Sequence, residues 1–331
     1  MGRSGQAIVM HRYGPPAVLA LEQVALTALA PGEIRLRSLV SAVNHSDLEI
    51  RAGNWPIRRD PPFPYVPGLE VLGEVVEVGA AAGEFRLGDR AMTMMQGLGG
   101  IRAERPGGYA EFVTVAAAAA APVPGDLDAH DMAALGLASV TAFEGLRRLG
   151  PLAGRRIVVT GASGGVGSAA IGLARAAGAE VVAVVSRGER RDYVRSLGAG
   201  EILLAAEIAA GVLGEHSVDG ILDSVAGALF GRCVAALRPG GVLSLVGSVG
   251  GSAVSLDADY LLDAVLTGYT TERLDGAVLR RAVATIGDWL RHGALRPPAR
   301  TLFPLAEAAA AHAALERHGV EGRLLLVPPS D

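Results

Sequence analysis

Cysteine is nearly absent from this chain of 331 residues: Cys233 stands alone, so neither an internal disulfide nor a cysteine-ligated zinc site can be assembled. A reducing, cytoplasmic setting is the expectation. Lysine is absent altogether, every basic residue being arginine. With abundant Ala and Gly, this reads as the codon bias of a G+C-rich genome rather than a functional device. Aromatic residues make up 4% of the chain, and 30 basic residues stand against 34 acidic ones for a net charge of −4. No basic stretch interleaved with aromatics offers a nucleic-acid groove, so small-molecule chemistry is favoured. Nowhere do about 18 uninterrupted apolar residues occur, and the first six residues carry one Arg with no apolar run behind it. Neither a membrane span nor a targeting segment is expected.

What is present is a change of texture along a chain longer than the roughly 250 to 300 residues at which single cores stop growing. Residues 1 to about 120 hold short β-type runs broken by Gly and Pro, such as Glu33-Ile34-Arg35-Leu36-Arg37 and Val71-Leu72-Gly73-Glu74-Val75-Val76-Glu77-Val78. The alanine tract at 116–121, ending at Pro122 and Pro124, reads as the crossing into a second lobe. From about residue 125, strand and helix alternate in the manner of a parallel sheet with helices on its faces. Of five strands predicted in this rhythm, Ile157-Val158-Val159-Thr160 is the first, 181–185 the second, Ile221-Leu222 lies in the fourth, and 242–246 after Pro239-Gly240-Gly241 makes the fifth. A helix over 167–177 is capped by Gly178. Beyond about 270, amphipathic stretches at 279–290 and 305–318 and the run Leu324-Leu325-Leu326-Val327 break the alternation, and the tail is expected to return to the first lobe.

The sharpest motif is Thr160-Gly161-Ala162-Ser163-Gly164-Gly165-Val166-Gly167, after a strand and opening a helix. Glycines let the backbone turn tightly and approach a pyrophosphate, whose charge the N–H groups at a helix N-terminus can meet. Ser163, Gly164, Gly165 and Val166 are therefore candidate dinucleotide contacts. The same residues satisfy G-x-S-x-G, with Ser163 as a hydrolase nucleophile. That reading lacks a clear downstream Asp and His pair. At the end of the second strand, Val185-Ser186-Arg187-Gly188-Glu189-Arg190-Arg191 has no acidic residue on the strand end itself. Arg187 and Arg190, with Ser186, suit the 2′-phosphate of NADPH, against the alternative of ordinary surface arginines.

Taken in order, Val43-Asn44-His45-Ser46-Asp47, Pro67-Gly68-Leu69-Glu70, Phe85-Arg86-Leu87-Gly88-Asp89-Arg90, Gly108-Tyr109-Ala110-Glu111-Phe112, the glycine turn, Leu197-Gly198-Ala199, Pro239-Gly240-Gly241 and Phe303-Pro304-Leu305-Ala306-Glu307-Ala308 resemble the zinc-independent quinone oxidoreductase-like branch of the medium-chain dehydrogenase/reductase superfamily over nearly the whole chain. The resemblance implies an α/β fold: a Rossmann doubly wound parallel sheet domain over 123–268, and a split, mostly β GroES-like catalytic domain made of 1–122 and the return segment 269–331. NADPH would lie in the cleft between them. Zinc-dependent relatives carry Cys where Asn44 stands, His where Leu69 stands and commonly Cys near Leu137, so no metal site is expected.

By the same resemblance, Asn44 and Asp47 lie beside nicotinamide and substrate as candidate catalytic groups, although Asn and Asp also cap helices. Thr141 is placed near the nicotinamide, Ser224 on the adenosine side, Val246, Gly247 and Ser248 along the reduced end, and Arg323 within reach of the cofactor. Trp55 stands near where relatives often have Tyr; the hydroxyls of Tyr65, Tyr109 and Tyr269 cannot be placed. His312 and the other histidines are assigned surface or packing roles. Met94 and Met95 suit either a pocket lining or a core, and Arg58 and Arg59 either an anionic substrate or a solvated loop. The implied function is NADPH-dependent hydride transfer to a quinone or enone. An enoyl-thioester reductase of a fatty-acid or polyketide pathway, or an NADPH-binding protein with a structural or regulatory role, are the alternatives. A homodimer joined along the edge strands of the Rossmann sheet, around 242–248 and 264–270, is also implied.

Overall fold

The computed structural model describes residues 3–54, 63–95, 97, 105–317 and 321–329. Trp55, Arg58, Arg59 and His318, one of the histidines considered above, lie outside the described residues. The chain divides into two compact units. One comprises Met1–Leu137, Thr271–Arg291 and Ala299–Asp331; the other comprises Ala138–Thr270 and His292–Pro298.

The first unit begins with β1 (Ser4–Val9) and β2 (Ala20–Ala25), an antiparallel pair. β3 (Glu33–Val43) leads into α1 (His45–Ala52), followed by β4 (Glu70–Val78), β5 (Arg90–Met94), β6 (Phe112–Ala116) and β7 (Ala120–Val123). The alternation predicted for β3 puts Ile34 and Leu36 wholly inside, where they pack with Val71, Val75, Phe85, Val113 and Val115. Arg35, on the other face, is buried as well, because its guanidinium donates to the Thr27 carbonyl (2.6 Å) and meets Glu77 (3.2 Å).

The alanine tract corrects the sequence reading. It is no crossing: it is the end of β6, a single 3-10 turn at Ala117–Ala119, and β7. Ala120 and Ala121 are fully buried, small side chains filling a tight layer of a paired strand. β7 ends the sheet, which lets it carry the exposed Pro122 without an orphaned ladder bond.

The second unit takes in the later part of α2 (Ala129–Arg147), which breaks at Gly136, and then alternates β8 (Arg156–Val159), α3 (Gly165–Ala176), β9 (Glu180–Val185), α4 (Arg191–Ser196), β10 (Glu201–Leu204), α5 (Ala205–Ala209), β11 (Val218–Asp223), α6 (Phe230–Ala235), β12 (Leu237–Leu245) and β13 (Val265–Gly268). All these strands run parallel, in the order β10-β9-β8-β11-β12-β13. That is the doubly wound order. It has six strands where the sequence pattern suggested five; β13 has only four residues and a largely exposed face, too weak a hydrophobic signal to register. Pro239-Gly240-Gly241 is likewise no separate turn before β12 but an irregularity within it, where the register against β11 shifts between Val218 and Gly220.

The chain then returns to the first unit with α7 (Gly276–Arg291), whose Leu279, Val283 and Ile286 sit on one buried stripe. β14 (Arg300–Pro304), α8 (Ala308–Glu316) and β15 (Arg323–Val327) complete it. β15 pairs antiparallel with β3, giving the sheet order β14-β15-β3-β4-β5-β7, with β6 also on β3. Among the described residues no helix is long and apolar enough to cross a membrane.

Candidate active site

In the second unit, sheet order reverses between β8 and β11, and the crevice beyond their carboxyl ends is where such sheets take ligands. The glycine turn follows β8 into it. Gly161 has φ +59°, and a Cβ on Gly167 would stand 2.2 Å from the Gly161 carbonyl oxygen, so no larger residue fits the turn. Gly164 is the N-cap of α3 and brings no side-chain cap. The N–H groups of the first helical turn, whose orphan donors suit an anion, are thus left for an incoming group. Gly164 is exposed, and Ser163, Gly165 and Val166 are half-buried.

The turn is held from below by a buried latch. Asp223, at the end of β11 and 1% exposed, accepts from the Thr160 hydroxyl (2.5 Å) and from the N–H groups of Val225 (2.9 Å) and Ala226 (3.1 Å). The Ser224 N–H donates to the Thr160 hydroxyl oxygen and the Ser224 hydroxyl to the Thr160 carbonyl, both at 3.0 Å. Ser224 therefore shapes the turn. The Val246 N–H donates to the Asp223 carbonyl (2.7 Å), bringing the Val246-Gly247-Ser248 segment to the same end of the sheet. Ser186 and Arg187 are exposed beyond β9, Arg187 standing 3.6 Å from Glu189, while Arg190 is the N-cap residue of α4. The next arginine, Arg191, is committed to the Ile202 carbonyl (2.8 Å) and Glu207 (3.1 Å). Thr141 is buried on α2.

In the first unit, three candidates meet in one buried polar cluster. Asn44 caps α1, and the Asp47 carboxylate accepts from the Asn44 N–H (2.8 Å) and the Leu69 N–H (3.1 Å). The Asn44 amide nitrogen donates to Glu70 (2.8 Å), and Arg323 donates both to the Asn44 amide oxygen (2.8 Å) and to Glu70 (3.0 Å). The other Glu70 oxygen accepts from the Leu137 N–H (2.6 Å). Gly136, at φ +38°, makes this possible, since a Cβ there would lie 2.1 Å from that carboxylate oxygen. Asn44, Asp47, Glu70 and Arg323 are all at most 6% exposed.

Burial lifts the Asp47 carboxyl to about 7, with the charge of Glu70 adding to the rise and the N–H groups of Asn44 and Leu69 opposing it. Glu70 is raised by burial too, against the pull of Arg323, Asn44 and Leu137. Arg323, assigned by resemblance to the cofactor, is thus the counter-ion of Glu70. Glu70 itself was visible in sequence only as the last letter of a motif. Tyr109 is fully buried, its hydroxyl 3.3 Å from Nε2 of His312. Of the packing and surface roles given to His312, the structure shows the buried one: it is 0% exposed, with Nε2 beside the Tyr109 hydroxyl. Met94 and Met95 are buried in and just after β5. Among the described residues no three His, Cys, Asp or Glu side chains gather where a metal could sit.

Residues 30–125 match the alcohol dehydrogenase GroES-like domain and residues 165–277 the zinc-binding dehydrogenase family. An acrylyl-CoA reductase of Ruegeria pomeroyi is 33% identical over 250 residues, covering 71% of each chain. The chain belongs to the medium-chain dehydrogenase/reductase superfamily, in its quinone oxidoreductase-like branch. A quinone oxidoreductase of Lama guanicoe is 29% identical over 330 residues, 97% of both chains. The structure of a mycobacterial protein complexed with NADPH superposes with a TM-score of 0.82 at 28% identity, over 98% of this chain and 100% of that one. Within this oxidoreductase branch the mixed α/β architecture, GroES-like plus Rossmann-like, is the fold described above, and membership displaces the serine-hydrolase reading of Ser163.

Proposed function

We propose that this oxidoreductase uses NADPH to reduce a quinone or an α,β-unsaturated carbonyl compound, with neither metal nor flavin. The observation that carries the proposal is the glycine turn at the point of sheet reversal, where Gly161 and Gly167 leave no room for a side chain and α3 opens without a side-chain cap. When bound, NADPH supplies the hydride. The chain's part is to bind and orient: the N–H groups around Ser163, Gly164, Gly165 and Val166 receive the pyrophosphate. Arg187 and Arg190, with Ser186, receive the 2′-phosphate. Thr141, Val246, Gly247 and Ser248 border the nicotinamide side. The likeness to a mycobacterial structure complexed with NADPH supports the choice of cofactor.

Asn44 and Asp47 are the candidate polar groups beside the reacting atoms. The donor set argues against a metal: an amide already engaged with Glu70 and Arg323 stands with Leu69 and Leu137, and leucine cannot ligate. A conjugated carbonyl delocalises the charge that hydride addition creates, so the protein's main task is geometric. The acrylyl-CoA reductase relative favours a second reading, reduction of an enoyl thioester.

Following NADPH oxidation by the purified protein with a quinone, an enone and an enoyl thioester tests both. Acceptor-dependent oxidation with one of them is expected. Tight NADPH binding with no oxidation by any acceptor would instead mark a structural or regulatory dinucleotide-binding protein.

A homodimer joined along β13 completes the proposal. β13 is the last strand of its sheet, with Val265 and Leu266 50% and 39% exposed and Leu262, just before it, 83% exposed.

A further inference from the structure

We propose that Asp223 is a positioning residue of the dinucleotide site: its carboxylate holds the loop of residues 224–227 in a strained form that spaces the glycine turn from the 246–250 segment. The inference rests on the reading above only in giving those two segments a dinucleotide to hold.

The starting point is a backbone conformation that alanine does not ordinarily adopt. Ala226, 2% exposed, has φ +56° and ψ −136°, a region open in practice to glycine. Strain of this kind persists only where the surroundings over-determine it. The restraint comes from three positions earlier. Oδ1 of Asp223 accepts from the N–H groups of Val225 (2.9 Å) and Ala226 (3.1 Å) as well as from the Thr160 hydroxyl (2.5 Å). The Val225 carbonyl in turn accepts from the Gly250 N–H (2.8 Å). Both polar groups of the peptide joining Val225 to Ala226 are thus tied, in opposite directions, and a flip of that peptide to relieve Ala226 would break both bonds. Gly227 follows at φ +59°, where a Cβ would collide with the Gly250 carbonyl oxygen.

Ser224 shows why the position of this loop matters to the site. Its hydroxyl donates to the Thr160 carbonyl (3.0 Å), and a Cβ on Gly161 would stand 2.5 Å from that hydroxyl oxygen. On its other side, a Cβ on Gly247 would stand 3.0 Å from the Ser224 carbonyl oxygen. The glycine turn and the 246–250 segment therefore press on Ser224 with bare backbone, and a shift of the loop moves both. Holding the loop is unfavourable in itself. Besides the strain at Ala226, Oδ2 of Asp223 is buried without a hydrogen-bond partner among the described residues, and an unpaired buried acceptor destabilises the fold. Local costs of this sort gather where a binding site needs a fixed shape. Here they meet in the loop between the two segments assigned to the dinucleotide.

The test is NADPH binding by calorimetric titration together with hydrogen exchange of the loop, both on the full-length protein. Asp223→Ala frees the strained loop, so the binding form becomes a minor one and the dissociation constant is expected to rise about tenfold or more. Asp223→Asn keeps an accepting oxygen and is expected to stay within about threefold of wild type. Adding Ala226→Gly to Asp223→Ala removes the strain that drives the loop away and is expected to recover most of the loss. An unchanged dissociation constant in folded Asp223→Ala, a loss that Asp223→Asn shares, or a double variant no better than Asp223→Ala would overturn the proposal. Should Asp223→Ala fail to fold, hydrogen exchange of the wild type decides. Slow exchange is expected at the N–H groups of Val225, Ala226 and Gly250, and fast exchange there would overturn the proposal. A protein that binds no dinucleotide, yet protects these N–H groups and loses that protection in Asp223→Ala, would refute the reading above and leave the restraint by Asp223 standing.

Discussion

Arg323 and Glu70 form an ion pair whose side chains are 7% and 3% exposed, and the Asn44 amide joins both. A buried pair of this kind contributes little net stability, yet removing one partner strands the other, at a cost of about 3–5 kcal/mol. Arg323→Met should therefore lower the urea-unfolding free energy by about that amount, whereas a surface pair such as Arg195–Asp192 should give under about 1 kcal/mol when broken. A loss below about 1 kcal/mol for Arg323→Met would show that Glu70 simply takes up a proton. At this scale sequence was partly informative. Asn44, Asp47 and Arg323 could be named because residue type and motif order point to them. The pairing of the Tyr109 hydroxyl with His312 could not be read, since they are 203 positions apart and a hydrogen bond between distant segments leaves no spacing to read.

The strand, glycine turn and helix that build the turn site were legible because each is set by neighbours in sequence: the apolar run of β8, the tight turn of Gly161 and the opening of α3. Three strands left no pattern of their own, for the same physical reason. In β6 and β7 the alanines carry no period of their own and become strand only through pairing with β3 and β5. The four-residue β13 owes its existence to β12 beside it. The cofactor prediction belongs to the end of β9. A charge-assisted hydrogen bond is worth about 1.5–3 kcal/mol, so Arg187→Ala should weaken NADPH binding by about tenfold or more and leave NADH binding nearly unchanged, as read by calorimetric titration. Equal losses for both cofactors would remove Arg187 from 2′-phosphate recognition.

For the molecule as a whole, the change from broken β-type runs to strand–helix alternation near residue 125 reflects two different ways of covering a sheet, and that much is local enough to read. The broken alternation beyond about residue 270 already pointed the tail back to the first lobe, but the pairing that brings Leu324 beside Val43 has nothing in either segment's pattern to announce it. The exposed apolar residues at β13 lead to an assembly prediction. Sedimentation at micromolar concentration should give the dimer mass, and Val265→Arg together with Leu266→Glu should shift it to monomer without unfolding. A wild-type monomer would contradict the proposed joining along β13. The central claim, direct hydride transfer from NADPH to a conjugated carbon, is tested most directly by supplying NADPH deuterated at the transferring position with an enone and locating the label in the product by mass spectrometry. The account predicts one deuterium retained on the β-carbon; label lost to solvent, as exchange through a flavin would give, or no reduction at all, would contradict it.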